Sequence, residues 1–175
     1  MDEHKVVYPA GHNVITYNIE DKLMQYYPSL ETTVEISHLS ISPTRRYLAV
    51  CEKAPKAMCS IYDTQTQRRK KFFNNADSNA EEFLASAFVP FNEHKYLVTV
   101  SGAPDYELVY WQWERPRILA TIKLGINKPV TSIGFNATDP TKGFTIAGQN
   151  IFRQYRYQEN DFKELVPALV STLNS

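Results

Sequence analysis

A metal site, thiol chemistry or acid–base catalysis would have to be built in this chain from four histidines, two cysteines and a few acidic pairs. His4, His12, His38 and His94 are scattered without metal-ligand spacing, so no metal is expected. Cys51 and Cys59 flank a predicted hairpin that would set them near each other across two strands. Two small buried thiols in a reducing compartment are the expectation, and no CxxC pair is present. Asp2-Glu3 and Glu81-Glu82 show no geometry that demands a general acid and base. No GxSxG, HExxH, P-loop or dinucleotide fingerprint occurs. Neither catalytic residues nor a cofactor are therefore expected.

The sharpest charged feature is the run Arg68-Arg69-Lys70-Lys71, with Arg45-Arg46 earlier in the same segment. A solvated hairpin between two strands accounts for such a run. Its functional reading is a contact, steered by charge, for an acidic partner surface such as tubulin tails. Over the whole chain nineteen basic side chains balance nineteen acidic ones, so there is no bulk attraction toward nucleic acid or anionic membrane. No apolar run approaches the length needed to span a bilayer, and MDEHKVVYPAG lacks the basic and apolar regions of a signal peptide. A cytosolic setting, or one continuous with it, is expected. Asn136-Ala137-Thr138 matches a glycosylation sequon and is read as a turn.

The elements that would hold these residues are legible as a repeat. ISHLSISP ends on Pro43 and LASAFVP on Pro90, a separation of 47, and the same step reaches Ala137 in TSIGFNATDP. Ile41, Phe88 and Phe135 stand two residues before each of these positions. Each turn is followed by an aromatic (Tyr47, Tyr96, Phe144) and a short run of strand-forming residues. A third run follows: MCSIYDTQ, ELVYWQWE and IFRQYRYQ, with Tyr62, Trp113 and Tyr155 as its terminal aromatics. RKKFF, RILATIKL and FKELVPAL close the units. An earlier partial unit comprises VVYPAG, NVITYNIE and LMQYYPS, with Tyr17 as its aromatic. The series 17, 62, 113, 155 averages 46 residues per step.

Four short strands per unit at a period in the forties predict an all-β fold, a partial β-propeller of WD-repeat type. A thin sheet cannot shelter both of its faces, so such units stack side by side. The expected layout is a single segment over 1–175, with a partial blade at 5–29 and blades at about 34–73, 83–124 and 130–169. The one stretch considered for a helical turn is Ser78 to Phe83. Tyr17, Tyr62, Trp113 and Tyr155 are expected to be structural aromatics packing the third strands against neighbouring blades. Tyr62-Asp63 sits where a Trp-Asp dipeptide would, Trp113-Glu114 is taken as a degenerate copy, and Gly11-His12 is a hairpin turn. Three units and a fraction do not close a ring, so a second chain is expected to complete it.

VVYPAGHNVITYNIEDKLMQYYPS, LSISPTRRYLAVCEK and ELVYWQWERPRILATIKL, in this order and at these separations, resemble the start of the cilia- and flagella-associated protein 57 family. The resemblance runs from about Val6 to Tyr157. It implies an axonemal scaffold, without enzymatic activity, linked to inner dynein arms and their regulatory neighbourhood on doublet microtubules. Other axonemal proteins, including coiled-coil proteins and tubulin, are the implied partners. Family members carry a long coiled coil, whereas no heptad follows Ala168 here. The alternative is a general cytosolic WD-repeat adaptor that binds a peptide in trafficking or as a ubiquitin-ligase substrate receptor. An enzyme would need polar groups clustered at the axial channel, where the first strands offer Ser37, Ser86 and Thr131.

Overall fold

Fifteen antiparallel strands make up four separate sheets in a computed structural model that describes residues 4–165. The expected end of the last blade at 169, and the stretch after Ala168, lie outside these residues.

The first sheet has three strands, β1 (Lys5–Ala10), β2 (Asn13–Asn18) and β3 (Met24–Tyr27). The second runs β4 (Glu35–Ile41), β5 (Tyr47–Lys53), β6 (Met58–Asp63) and β7 (Arg69–Asn74). The third holds β8 (Phe83–Phe88), β9 (Tyr96–Ser101), β10 (Glu107–Gln112) and β11 (Arg117–Lys123). The fourth holds β12 (Val130–Phe135), β13 (Phe144–Gly148), β14 (Ile151–Gln158) and β15 (Asp161–Leu165). In every sheet the strands pair in sequence order, as tight hairpins dictate.

Why the sheets stack is visible in their side chains. Alternation gives each strand two faces, and in the middle strands both are apolar. Leu48, Val50 and Tyr62 of the second sheet meet Val14 and Tyr27 of the first. Ala49, Cys51, Cys59 and Ile61, on its other face, join Phe88, Leu97, Val109 and Trp111 of the third. Val98, Val100, Leu108 and Tyr110 then meet Phe144, Ile146 and Tyr155 of the fourth. The first strands, β4, β8 and β12, lie against one another on the inner side. There the Ser37 hydroxyl donates to the Phe83 carbonyl (2.9 Å), and the Ser40 and Ser86 hydroxyls are 2.6 Å apart. This is a partial β-propeller, three four-stranded blades and part of another.

Residues 78–83 do not form the helical turn considered for them. The segment from Asn75 to Glu82 is spread across two hairpins, which take its backbone groups. The Ala54 and Ala57 amides donate to the carbonyls of Glu81 and Ala80, and Gly102 donates to Glu82. Lys56 Nζ donates to the carbonyls of Ala76 and Ser78. These bonds hold the segment extended between the two hairpins. Among the described residues the helical turns are instead two short 3-10 segments, Pro90–Asn92 and Pro140–Lys142, each opened by a proline whose fixed φ suits a first helical position.

Gly148 ends β13 where an alanine Cβ would sit 2.3 Å from the Pro129 carbonyl oxygen and 2.9 Å from the Val130 Cα. Both obstacles are backbone. Gly148→Ala is expected to cost about 2 kcal/mol, as overpacking does when nothing flexible can yield. The urea unfolding midpoint checks this, and an unchanged midpoint contradicts so close an approach.

Candidate functional site

The surface a propeller offers is the set of hairpins, edges and faces that the sheets hold in place. The Tyr62-Asp63 dipeptide shows how one hairpin is fixed. Tyr62 is buried between the first and second sheets, edge-on to Tyr27 at 5.1 Å, and its hydroxyl donates to the Pro28 carbonyl. Asp63 Oδ1 accepts from the Gln65 and Thr66 amides at 2.9 and 3.1 Å. Its Oδ2 accepts from Arg46 Nε and Nη2 at 3.1 and 2.8 Å. The carboxylate thus ties the β6–β7 turn to the β4–β5 turn. Burial pushes the Asp63 carboxyl upward, but the Thr66 amide, the Arg46 guanidinium and the Gln65 amide outweigh it and hold it below the usual range.

A group depressed in the fold stabilises fully above its unfolded value, about 3.9 for Asp, and loses that contribution as pH falls through its folded value. Asp63→Asn is therefore expected to lower stability at neutral pH and to flatten the acid limb of stability against pH. Urea midpoints taken from pH 6 down to about 2.5 check this. Parallel curves for the two proteins would contradict it.

Register places the four expected aromatics as follows. Tyr62 is opposite Leu48, and the positions opposite Leu97 and Phe144 are Trp111 and Tyr155. The third-blade counterpart of Tyr62 is thus Trp111, and the dipeptide is Trp111-Gln112 rather than Trp113-Glu114. Phe144 correspondingly matches Leu48 and Leu97, not Tyr47 and Tyr96. Trp113 lies just past β10, where it packs on Tyr47 of the second sheet (5.1 Å) and donates from Nε1 to the Glu93 carbonyl. Tyr155 is buried with Phe144 and Phe162 on the face of the fourth sheet that meets the third. Tyr17 is half-buried. It precedes Asn18, whose Oδ1 accepts from the Glu20 and Asp21 amides, as Asp63 accepts from Gln65 and Thr66. Lys22 and Gln67, at φ 56° and 58°, take the same left-handed position in the two turns. Tyr17-Asn18 is thus a second copy of the dipeptide, its carboxylate replaced by an amide.

Arg68 ends the β6–β7 turn and Arg69, Lys70 and Lys71 open β7, all four exposed. Register shifts between Ile61, opposite Lys71, and Tyr62, opposite Arg69, so Lys70 is the extra residue of a bulge. Lys70 and Lys71 both line a cavity of about 280 Å³ between the second and third sheets, with Tyr47, His94, Trp113 and Glu114. Arg69 instead lies over the Phe72 ring at 5.3 Å. Glu93, beneath this groove, accepts from the Thr44 amide (2.9 Å) and the Thr44 hydroxyl and so fastens the two blades.

The remaining candidates are placed as follows. Cys51 and Cys59 are directly opposed, fully buried free thiols with sulfurs 3.9 Å apart, and burial pushes the Cys59 thiol well up. His12 Nδ1 is 3.1 Å from the Thr33 carbonyl oxygen, and His4 is 3.1 Å from Glu20. Burial lowers the pKa of half-buried His38, against a backbone hydrogen bond at Ser86. Among the described residues no three His, Cys, Asp or Glu side chains are grouped to hold a metal. Ser37 and Thr131 donate to the carbonyls of Phe83 and Ala147, and Ser86 meets Ser40. Asn136 Oδ1 accepts from Thr138 and Asp139.

Among the described residues two sheet faces have no neighbour, and they differ. Val7 and Tyr27 pack toward the second sheet, so alternation puts Val6, Tyr8, Ile15, Tyr17, Met24 and Tyr26 on the far side of the first. On the far side of the fourth sheet register places Thr145, Gln154 and Arg156 beside Ala147 and Phe152. The apolar face also flanks β1, an unpaired edge where the other sheets carry an inner strand.

No model of a known protein family matches the chain. It is similar to cilia- and flagella-associated protein 57 of Mus musculus, 32% identical over 94% of this chain. It is 34% identical over 92% of its length to cilia- and flagella-associated protein 57 C of Tetrahymena thermophila. The chain spans 13% of the length of each of these relatives. Among solved structures, a chain in the crystal structure of a mitotic checkpoint complex superposes with TM-score 0.75 at 15% identity, over 95% of this chain and 50% of that one. At that identity the likeness concerns the fold alone.

Proposed function

The chain belongs to the cilia- and flagella-associated protein 57 family, and from that premise we propose that it is a non-enzymatic scaffold module of the ciliary or flagellar axoneme. In this reading it associates with inner dynein arms or their regulatory complexes on doublet microtubules. The observation that carries the proposal is homology to proteins of that name over nearly the whole chain. The fold supports it through its mode of action: stacked sheets hold turns and edges in fixed register, so partners meet a preformed surface. The partners are other axonemal proteins, among them dynein-arm subunits, coiled-coil proteins or tubulin. In the same reading further blades cover the apolar face of the first sheet and pair the free edge of β1.

Fractionation of isolated cilia tests the proposal. The tagged protein is expected to stay with the axoneme through detergent extraction and to leave it only in high salt. Complete release with the detergent-soluble matrix would contradict the scaffold reading.

A further inference from the structure

We infer that the outer edge of the second sheet, from Arg68 along β7, together with the groove beside Lys70 and Lys71, docks an extended acidic peptide segment of a partner protein. The inference stands on local geometry and holds wherever in the cell the protein works.

Three observations converge on the same edge. The first is charge. Among the described residues Arg68, Arg69 and Lys71 have no carboxylate in ion-pair reach, and Lys70 approaches only Asp63, at 3.9 Å, whose Oδ2 is already held by Arg46. Four exposed cations in sequence thus leave most of their charge for an incoming group. The other outer strands differ: β3 has no cation, β11 has one at each end, and the single lysine of β15 sits among Asp161 and Glu164.

The second is backbone. Among the described residues β7 (Arg69–Asn74) is the terminal strand of its sheet, paired on one side with β6, so its outward backbone groups form an edge. An extended peptide can pair with such an edge, and its alternate side chains then point to opposite sides. Charged residues on an edge also deter self-pairing. The same charges that repel a second basic edge attract an acidic strand.

The third is the bulge. The extra residue at Lys70 leaves two successive lysines lining the groove instead of one on each face. The groove is walled by Tyr47 and Trp113, and His94 and Glu114 complete its lining, so Lys70 and Lys71 set two positive charges there against one carboxylate. A carboxylate entering there would meet two cations beside aromatic rings rather than open water, where exposed pairs contribute little. Alternation supplies what the site asks for: acidic residues on one side of the strand, uncharged β-branched residues on the other.

The probe is a fluorescent peptide of repeating Glu-Thr, compared with a Gln-Thr peptide of equal length, titrated against the full-length protein. The Glu-Thr peptide is expected to bind, with affinity falling as salt rises, and the Gln-Thr peptide to bind at least about tenfold more weakly. Lys70→Glu with Lys71→Glu should weaken Glu-Thr binding at least about tenfold and flatten its salt dependence. Both side chains are exposed, so the fold should be retained, which circular dichroism checks. Arg115→Glu with Arg117→Glu makes the same charge change on exposed residues of the third sheet and should leave binding near wild type. Equal loss in both variants would show attraction by net charge alone and overturn the assignment. So would equal binding of the two peptides, or no binding of either.

Discussion

Trp111→Ala will destabilise the protein by about 4 kcal/mol, near the upper end for loss of a buried aromatic. The indole is almost wholly buried between the second and third sheets, 4.6 Å from the Phe73 ring and 6.4 Å from Phe83. Phe73 belongs to the outer strand of one blade and Trp111 to the third strand of the next, so the truncation opens a cavity at the seam. Nε1 also donates to Thr99 Oγ1 at 2.8 Å, and Thr99 is fully buried. Removing the donor strands that hydroxyl, which adds to the packing loss. Trp111→Phe separates the two contributions: the ring contacts largely persist, and a loss of about 1–2 kcal/mol is expected from the orphaned Thr99 alone. Urea unfolding of both variants checks the ranking. Equal and small losses would mean that the seam is not packed through this side chain.

Glu52→Ala is expected to cost about 3 kcal/mol, because a buried carboxylate organises groups that cannot find water when it is gone. Glu52 is fully buried near the end of β5. Its Oε2 accepts from the Leu30 amide at 3.1 Å and from the Thr33 hydroxyl, and its Oε1 accepts from Ser60 Oγ at 2.9 Å. Leu30 and Thr33 lie in the linker between the first and second sheets, so this one side chain anchors the connection across which those sheets stack. The third sheet has its own version. There the amide of Asn75, from the linker before β8, donates to Glu107 Oε2 at 2.9 Å. Glu52→Gln keeps the length and one acceptor oxygen and should cost roughly half as much. Hydrogen exchange locates the effect: the Leu30 amide should lose protection in Glu52→Ala before the middle of β5 does. Unchanged protection at Leu30 would contradict the anchoring role.

Most of the fold was legible because its rules are local. Period-two apolar runs broken by Pro, Gly and polar turns identify the strands, and a repeat near 47 groups them into blades. Register was harder. Trp111 and Trp113 both satisfy an aromatic near the end of a third strand, and their separation keeps the same side of a strand. Only the partner strand decides between them, by placing Leu97 opposite Trp111. Asn18 carries no legible signal, because an amide there does not spell the dipeptide, although it makes the same turn as Asp63. Glu52 and Glu107 were invisible for another reason: a glutamate in a strand reads as a solvent-facing residue until its linker folds over it. The run Arg68–Lys71 was conspicuous, but the bulge that turns two of its members into one groove is a property of pairing.

Neighbouring sheets shelter one another with their first strands gathered on the inside. Ser40 and Ser86 test this directly, since they belong to different sheets, are 46 residues apart in sequence, and have hydroxyls in contact. Ser40→Cys with Ser86→Cys in the full-length protein, mildly oxidised and digested, should yield a disulfide joining the peptides that carry these two positions. Single substitutions should yield none. Failure of the double variant to form this link while it remains folded would show that β4 and β8 are not neighbours, and the stacked arrangement would be wrong.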